Sequence, residues 1–292
     1  MRLLSWNPMV VLGVMLGLAP ACGDDGGGDA SFETEGTGTS NGTPSTESGQ
    51  GTGPGADSTS DDPPATGNDD NTPPRLPPPG ACDFSESFDV PDGSPWPEPW
   101  VEIGGTAVAD VQGGRGRLVP FTSSYSLARM FAPLNCVDVE ATWSFELTDD
   151  STQGMGFFVR QNGGYLQQTQ PTGAGYSTFV EKFRNPEGIA VWREVNGVEE
   201  MIEPIVPMAV QSGVVYRARL RVTQQSEDTT LLQARFWRAS DSEPGQWQVE
   251  RTDQSANLQG VGGGLGLDAW SNLTDGMPSE LFFDDIEVRA AD

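Results

Sequence analysis

Chemistry in this 292-residue chain must come from few residue types, because there is no histidine. Neither a Ser-His-Asp nor a Cys-His relay can be assembled, and no imidazole exists to ligate a metal. Carboxylates remain. Two of them flanking a glycosidic bond suffice for hydrolysis, and Glu194-Val195-Asn196-Gly197-Val198-Glu199 offers a pair. Asn-Gly is a strong signal for a type I′ hairpin turn, so this string reads as a chain reversal with the two glutamates on opposite arms. The glycine-rich run from Gly260 to Gly266 lacks the lysine and following helix of a phosphate-cradling loop; it reads as a strand that bends or is closely approached.

Binding chemistry has better material. Sugars are held by aromatic platforms with forked polar side chains beside them. Arg217, Arg219 and Arg221 alternate with Tyr216, Ala218, Leu220 and Val222, and Arg235 and Trp237 alternate with Leu232, Ala234 and Phe236. The alternation turns these arginines and Trp237 away from the core. Arg217, Arg219, Arg235 and Trp237 are therefore the first candidates for a ligand surface, with Trp192 and Trp270 as further aromatic candidates. A guanidinium cluster within an acidic domain favours an anionic glycan. The same row also reads as a solvated strand face paired to neighbouring acids.

The elements that carry these residues have a period of two. Val137 to Leu147, Tyr216 to Val222, Leu232 to Trp237 and Phe282 to Val288 alternate apolar with polar or small residues. Runs at 84–90, 155–161, 177–183, 189–195 and 246–251 fit the same template. Turn clusters such as Gln161-Asn162-Gly163-Gly164 and Asn196-Gly197 separate them. No useful stretch has a 3.6 period. Many short strands joined by Gly- and Asn-rich turns predict an all-β antiparallel sandwich, and residues 81–292 are enough for one sizeable core.

Ahead of that domain the composition is different. Met1-Arg2, an apolar stretch from Val10 to Leu18 and the small residues Ala19-Pro20-Ala21 precede Cys22. The arrangement resembles the export signal of a bacterial lipoprotein, with Ala19 where that family usually has leucine. The resemblance implies a signal peptide over 1–21, a lipidated Cys22 and attachment at the outer membrane or cell surface, with two acyl chains giving stable anchoring. The same small residues also fit an ordinary signal peptidase site, which would release a soluble protein. If Cys22 carries lipid, Cys82 and Cys136 remain as an even pair in an oxidising compartment, and they are expected to form a disulfide.

Residues 22–80 read as a disordered acidic Gly/Ser/Thr/Pro linker, too poor in apolar side chains to offset ordering entropy. Of the net charge of −26, the tract carries −10 and Arg2 +1, leaving −17 for residues 81–292. That field speaks against nucleic acid and against direct docking on anionic lipid, so the expected membrane contact is the lipid anchor alone.

The succession Phe84…Phe88…Trp96…Trp100, the Tyr216–Val222 strand, the Leu231–Trp237 strand and the closing Phe282–Val288 strand resembles the concanavalin A-like lectin/glucanase jelly roll, including laminin G-like domains. The resemblance implies two stacked sheets and a surface that in many relatives binds carbohydrate. Catalytic members carry Glu-x-Asp-x-x-Glu; here Asn196 replaces the middle acid. The resemblance also implies a structural calcium between the first and last strands, with Glu86 and Asp285 at matching places and Asp83, Asp284 and Glu287 near enough to substitute. The expectation is a displayed, noncatalytic carbohydrate-binding module. Its rivals are a hydrolase acting through unidentified carboxylates and a protein-interaction or structural module.

Overall fold

The computed structural model describes residues 74–121, 126–149, 152–167, 169–182, 184–271 and 279–292. Cys22, the segment read as an export signal and the acidic tract up to residue 73 lie outside the described residues.

The described residues form an antiparallel jelly-roll sandwich of two sheets. The eight-stranded sheet runs β13 (Val249–Asp253), β12 (Thr229–Arg238), β11 (Val215–Ser226), β6 (Val139–Leu147), β15 (Leu281–Ala290), β4 (Gly116–Pro120) and β3 (Thr106–Val111), with β1 (Phe84–Glu86) also paired to β15. The seven-stranded sheet runs β10 (Val198–Pro207), β9 (Gly188–Val195), β8 (Gly175–Glu181), β7 (Gln153–Gln161), β14 (Gly263–Ser271), β5 (Ser126–Cys136) and β2 (Val101–Gly104). The only helical element among the described residues is a 3-10 turn at Ala256–Leu258.

Alternation decides what each strand buries. On β11, Tyr216, Ala218, Leu220 and Val222 enter the core while Arg217, Arg219 and Arg221 face outward, and β12 does the same with Leu232, Ala234 and Phe236. Phe145, Tyr216 and Phe236 stack across three neighbouring strands with ring centroids 4.8–5.9 Å apart. The sheets are joined face to face where Trp143 of β6 stacks on Phe157 of β7 at 3.9 Å. Both rings are fully buried, and truncating a core aromatic of this size costs roughly 3–5 kcal/mol.

Cys82 and Cys136 are bonded across a separation of 54 residues, with Cα atoms 5.1 Å apart. The bridge ties the segment ahead of β1 to the end of β5. The glycine-rich run enters β14 as a close approach: a Cβ on Gly264 would lie 2.3 Å from the Ala132 carbonyl oxygen. The Asn196-Gly197 turn closes the β9–β10 hairpin with both residues at positive φ, 54° and 71°, as a type I′ turn requires.

Candidate functional site

Directly opposite residues in an antiparallel sheet share a face, and the outer face of the eight-stranded sheet is built from such rows. Trp237, Arg217, Ser144 and Asp284 form one row across β12, β11, β6 and β15. Arg235, Arg219, Thr142 and Glu287 form the next, and Gln233, Arg221, Glu140 and Arg289 the third. The structure thus brings Arg217, Arg219, Arg235 and Trp237 onto one surface.

Acids interleave with the guanidiniums. Glu140 takes contacts from Arg219 and, at 2.5 Å, Arg289, with Arg221 at 3.7 Å. Burial pushes the Glu140 carboxyl up, but Arg289 and Arg219 outweigh it and hold the group below its ordinary value. Glu243 pairs with Arg219 at 2.8 Å and Arg235 at 2.9 Å, and the Arg235 guanidinium lies 4.0 Å over the Trp247 ring. Arg217 is held least: its contact to Asp285 is 3.5 Å, with the two side chains 46% and 57% exposed. Two grooves open on this face. One of about 460 Å³ is lined by Ser85, Glu140, Thr142, Arg219, Glu287 and Arg289. The other, about 280 Å³, runs along Arg115, Ser144, Arg217, Phe282 and Asp284.

Glu86 and Asp285 serve different partners. Glu86 lies opposite Ile286 and accepts the Phe88 amide at 2.7 Å, whereas Asp285 faces Ser144 and Arg217 on the outer surface. Among the described residues no three acidic, cysteine or histidine side chains are grouped to hold a metal ion.

Trp192 and Trp270 belong to the other sheet and are not brought to the arginine face. Both point away from the sandwich core, since their neighbours Val191 and Ala269 are the core residues. Trp192 is 7% exposed, edge-on to Phe179 at 5.4 Å and covered by the Arg184 guanidinium at 4.8 Å. With Phe158, Phe179 and Ala190 it forms a small apolar cluster outside the main core.

Beside that cluster the same face holds a group of charges that the sequence reading did not assemble. Arg129 of β5 is fully buried and uses every N–H it has. Its Nε and Nη2 grip Asp268 of β14, both at 2.7 Å. Nη1 donates to both oxygens of Glu194 at 3.0 Å and to the Gly164 carbonyl at 3.2 Å, and Nη2 reaches Glu199 at 3.2 Å. The ring of Phe158 lies 4.4 Å beneath the guanidinium. Gln161 donates to Glu194 at 2.7 Å, and its carbonyl accepts the amides of Gly163 and Gly164. Gly163 and Gly164 are thereby seated beside the carboxylates. A Cβ on Gly173 would lie 2.2 Å from a Glu194 oxygen, so only glycine allows this approach.

Burial pushes the Glu194 carboxyl up to about 7 and that of Glu199 up to about 8, with Arg129 only partly offsetting the cost. Burial also raises Asp268. Glu194 has no exposed side-chain surface, while Glu199 is 25% exposed. The two glutamates stand directly opposite each other on the hairpin arms. In this conformation they grip a guanidinium rather than flank an open cleft.

No protein family matches the sequence, and neither does any curated protein. Solved structures do match in fold. A variant of the alginate lyase Aly36B in complex with an alginate tetrasaccharide superposes with a TM-score of 0.52 at 10% identity, covering 73% of this chain and 98% of that one. A Lotus tetragonolobus seed lectin gives 0.50 at 11% identity over 72% and 98%. A carbohydrate binding module from Bacillus subtilis gives 0.44 at 11% over 65% and 95%. At these identities the likeness is one of fold: the chain is a jelly-roll β-sandwich of the architecture seen in that lyase and that lectin.

Proposed function

We propose that the domain binds carbohydrate without transforming it, as a module displayed from a lipid-anchored Cys22 on the 22–80 linker. The ligand surface in this reading is the outer face of the eight-stranded sheet. The observation that carries it is the Trp237–Arg217–Ser144–Asp284 row, of which Arg217, Ser144 and Asp284 line an open groove of about 280 Å³. Trp237 supplies a partly exposed aromatic face, and Asp284 supplies a carboxylate that pairs with sugar hydroxyls. The exposed Arg217–Asp285 pair contributes roughly 0–1 kcal/mol, so a ligand carboxylate displaces it at small cost. Arg219 and Arg235, fixed by Glu243, frame the next row. The shared fold with an alginate-bound lyase and a seed lectin supports the reading, and the guanidinium row favours glycans bearing an acidic group.

The test is a glycan array probed with the oxidised domain, using neutral and uronate-containing oligosaccharides. Specific binding is expected, weakened about tenfold by either Trp237→Ala or Arg217→Ala, equivalent to about 1.4 kcal/mol. A blank array from folded protein would overturn the proposal and favour a protein-interaction role. Binding that both variants leave unchanged would overturn the assignment of the ligand surface to this face.

A further inference from the structure

The cluster around Arg129 stands apart from the proposed ligand face and has a charge problem of its own. Asp268, Glu194 and Glu199 share a single guanidinium; with all three ionised the group carries two net negative charges in a largely enclosed place. Glu181 of β8 adds further repulsion to Glu199 and is itself paired with Arg184. Tyr165, from the covering loop, lies 5.7 Å from the guanidinium with its hydroxyl donating to the Leu127 carbonyl.

The members are not equally fixed. Asp268 is held by two 2.7 Å bonds and Glu194 is chelated and enclosed. Glu199 has one 3.2 Å bond, some exposure, and a place on β10, the edge strand. It is the member that can leave. Its departure is felt at the hairpin tip, where the Gly197 amide donates to the Gly173 carbonyl at 2.7 Å and the Gln167 amide donates to the Gly197 carbonyl at 3.2 Å. Those two bonds fasten the loop residues 162–167 and 169–174 to the hairpin, while Arg129 holds the loop from below through Gly164.

We propose that the β9–β10 hairpin tip and the loop residues 162–167 and 169–174 form a proton-controlled latch over the seven-stranded sheet, closed while Glu199 is protonated and loosened when it ionises. The inference does not depend on the carbohydrate reading, since it concerns the opposite sheet. Near neutral pH Glu199 holds its proton, because burial and the neighbouring carboxylates raise it. Ionisation adds a charge the cluster cannot neutralise, and the group relieves it by swinging outward with its edge strand. Loosening frees the end of β10 that carries Glu199, two residues from Met201, which packs against the Phe158–Phe179–Trp192 cluster. The latch therefore regulates access to that face.

The test is amide hydrogen exchange on the full chain from pH 6 to 9.5, corrected for the intrinsic rate at each pH. Amides of Gln167, Gly173 and Gly197 are expected to lose protection above pH 8, approaching tenfold per pH unit for one linked proton. The amides of β6 and β11 serve as an internal control and stay flat. In Glu199→Gln the loop amides should remain protected throughout. Loop protection independent of pH in the wild type would overturn the latch, as would the same loss in the glutamine variant. Should that variant misfold, carbon NMR titration of the wild-type Glu199 carboxyl decides: a midpoint above 7 supports the latch, and one near the ordinary glutamate value overturns it.

Discussion

Arg129 shows how much one buried guanidinium can organise. It joins residues from β5, β9, β10 and β14 and the carbonyl of a covering loop, with sequence separations up to 139. Arg129→Met keeps the volume and removes the charge, stranding three carboxylates. Breaking a buried ion pair from one side costs roughly 3–5 kcal/mol, which for a domain of this size corresponds to a melting temperature lower by roughly 6–20 °C. Scanning calorimetry at neutral pH checks it; a change within 2 °C of wild type, by the same scaling, would mean that the cluster contributes little to stability. At this scale the sequence was partly legible. Asn196-Gly197 does place Glu194 and Glu199 on opposite arms, and the arginines of β11 and β12 do face outward. Local spacing has no means of showing that a guanidinium 65 residues earlier lies between those glutamates. Nor does it show that Glu140 of β6 is the acid on which Arg219 and Arg289 meet.

Strands were easiest to read where one face is wet, although the runs at 155–161 and 177–183 also marked most of β7 and β8. β11, β12 and β15 alternate cleanly because their outer faces are polar. β7 and β8 are buried along their whole length, and for part of that length the cover is the chain's own loop and hairpin. Most of their outward residues are accordingly glycine, serine or phenylalanine, with Gln161 and Glu181 the polar exceptions, so the alternating polar signal is weak. β2, β3 and β4 are short, and β5 contains Pro133, so neither length nor composition marked them. The loop residues 162–167 and 169–174 owe their seat to Gly173 as much as to any polar contact. Gly173→Ala would drive a methyl group into the Glu194 carboxylate and lift the loop, and overpacking of this kind costs typically 1–3 kcal/mol. Urea denaturation should show a lowered midpoint, and exchange protection should fall in the loop amides but not in β6. A midpoint equal to wild type would mean that the loop adapts without strain.

For the whole molecule the titration behaviour pulls two ways. Glu194 and Glu199 have folded values of about 7 and about 8, above those of the unfolded chain. The stability they contribute is complete below the ordinary glutamate value and is lost as pH rises toward about 8. Asp110, beside Arg117, lies below its ordinary value, so its contribution is present above that value and lost on acidification. Asp253 is also lowered: burial raises it, but Arg193, Ser255 and Tyr176 more than compensate. Stability should therefore peak in mildly acidic solution, near pH 5, and decline toward pH 8. Glu199→Gln should flatten the alkaline side of that curve. Thermal melts across pH 4 to 9 test this, and a wild-type melting temperature that climbs steadily from pH 5 to 8 would contradict it. The self-repulsion of a chain carrying −26 acts in the same direction, so the glutamine variant is what isolates the cluster.

The Cys82–Cys136 bridge has a mechanical consequence. A load applied ahead of Pro77 would reach the domain through a short stretch where Asn135 donates to the Pro77 carbonyl and exchanges backbone bonds with Gly80 and Ala81. The three-residue β1 comes next and would peel from β15 under small loads. The covalent link intercepts that load. Tension arriving from the N-terminal side passes at Cys82 into the end of β5, a strand held on both sides by β14 and β2. A load entering from that side would thus be handed to a strand paired on both sides before it reached the three-residue β1.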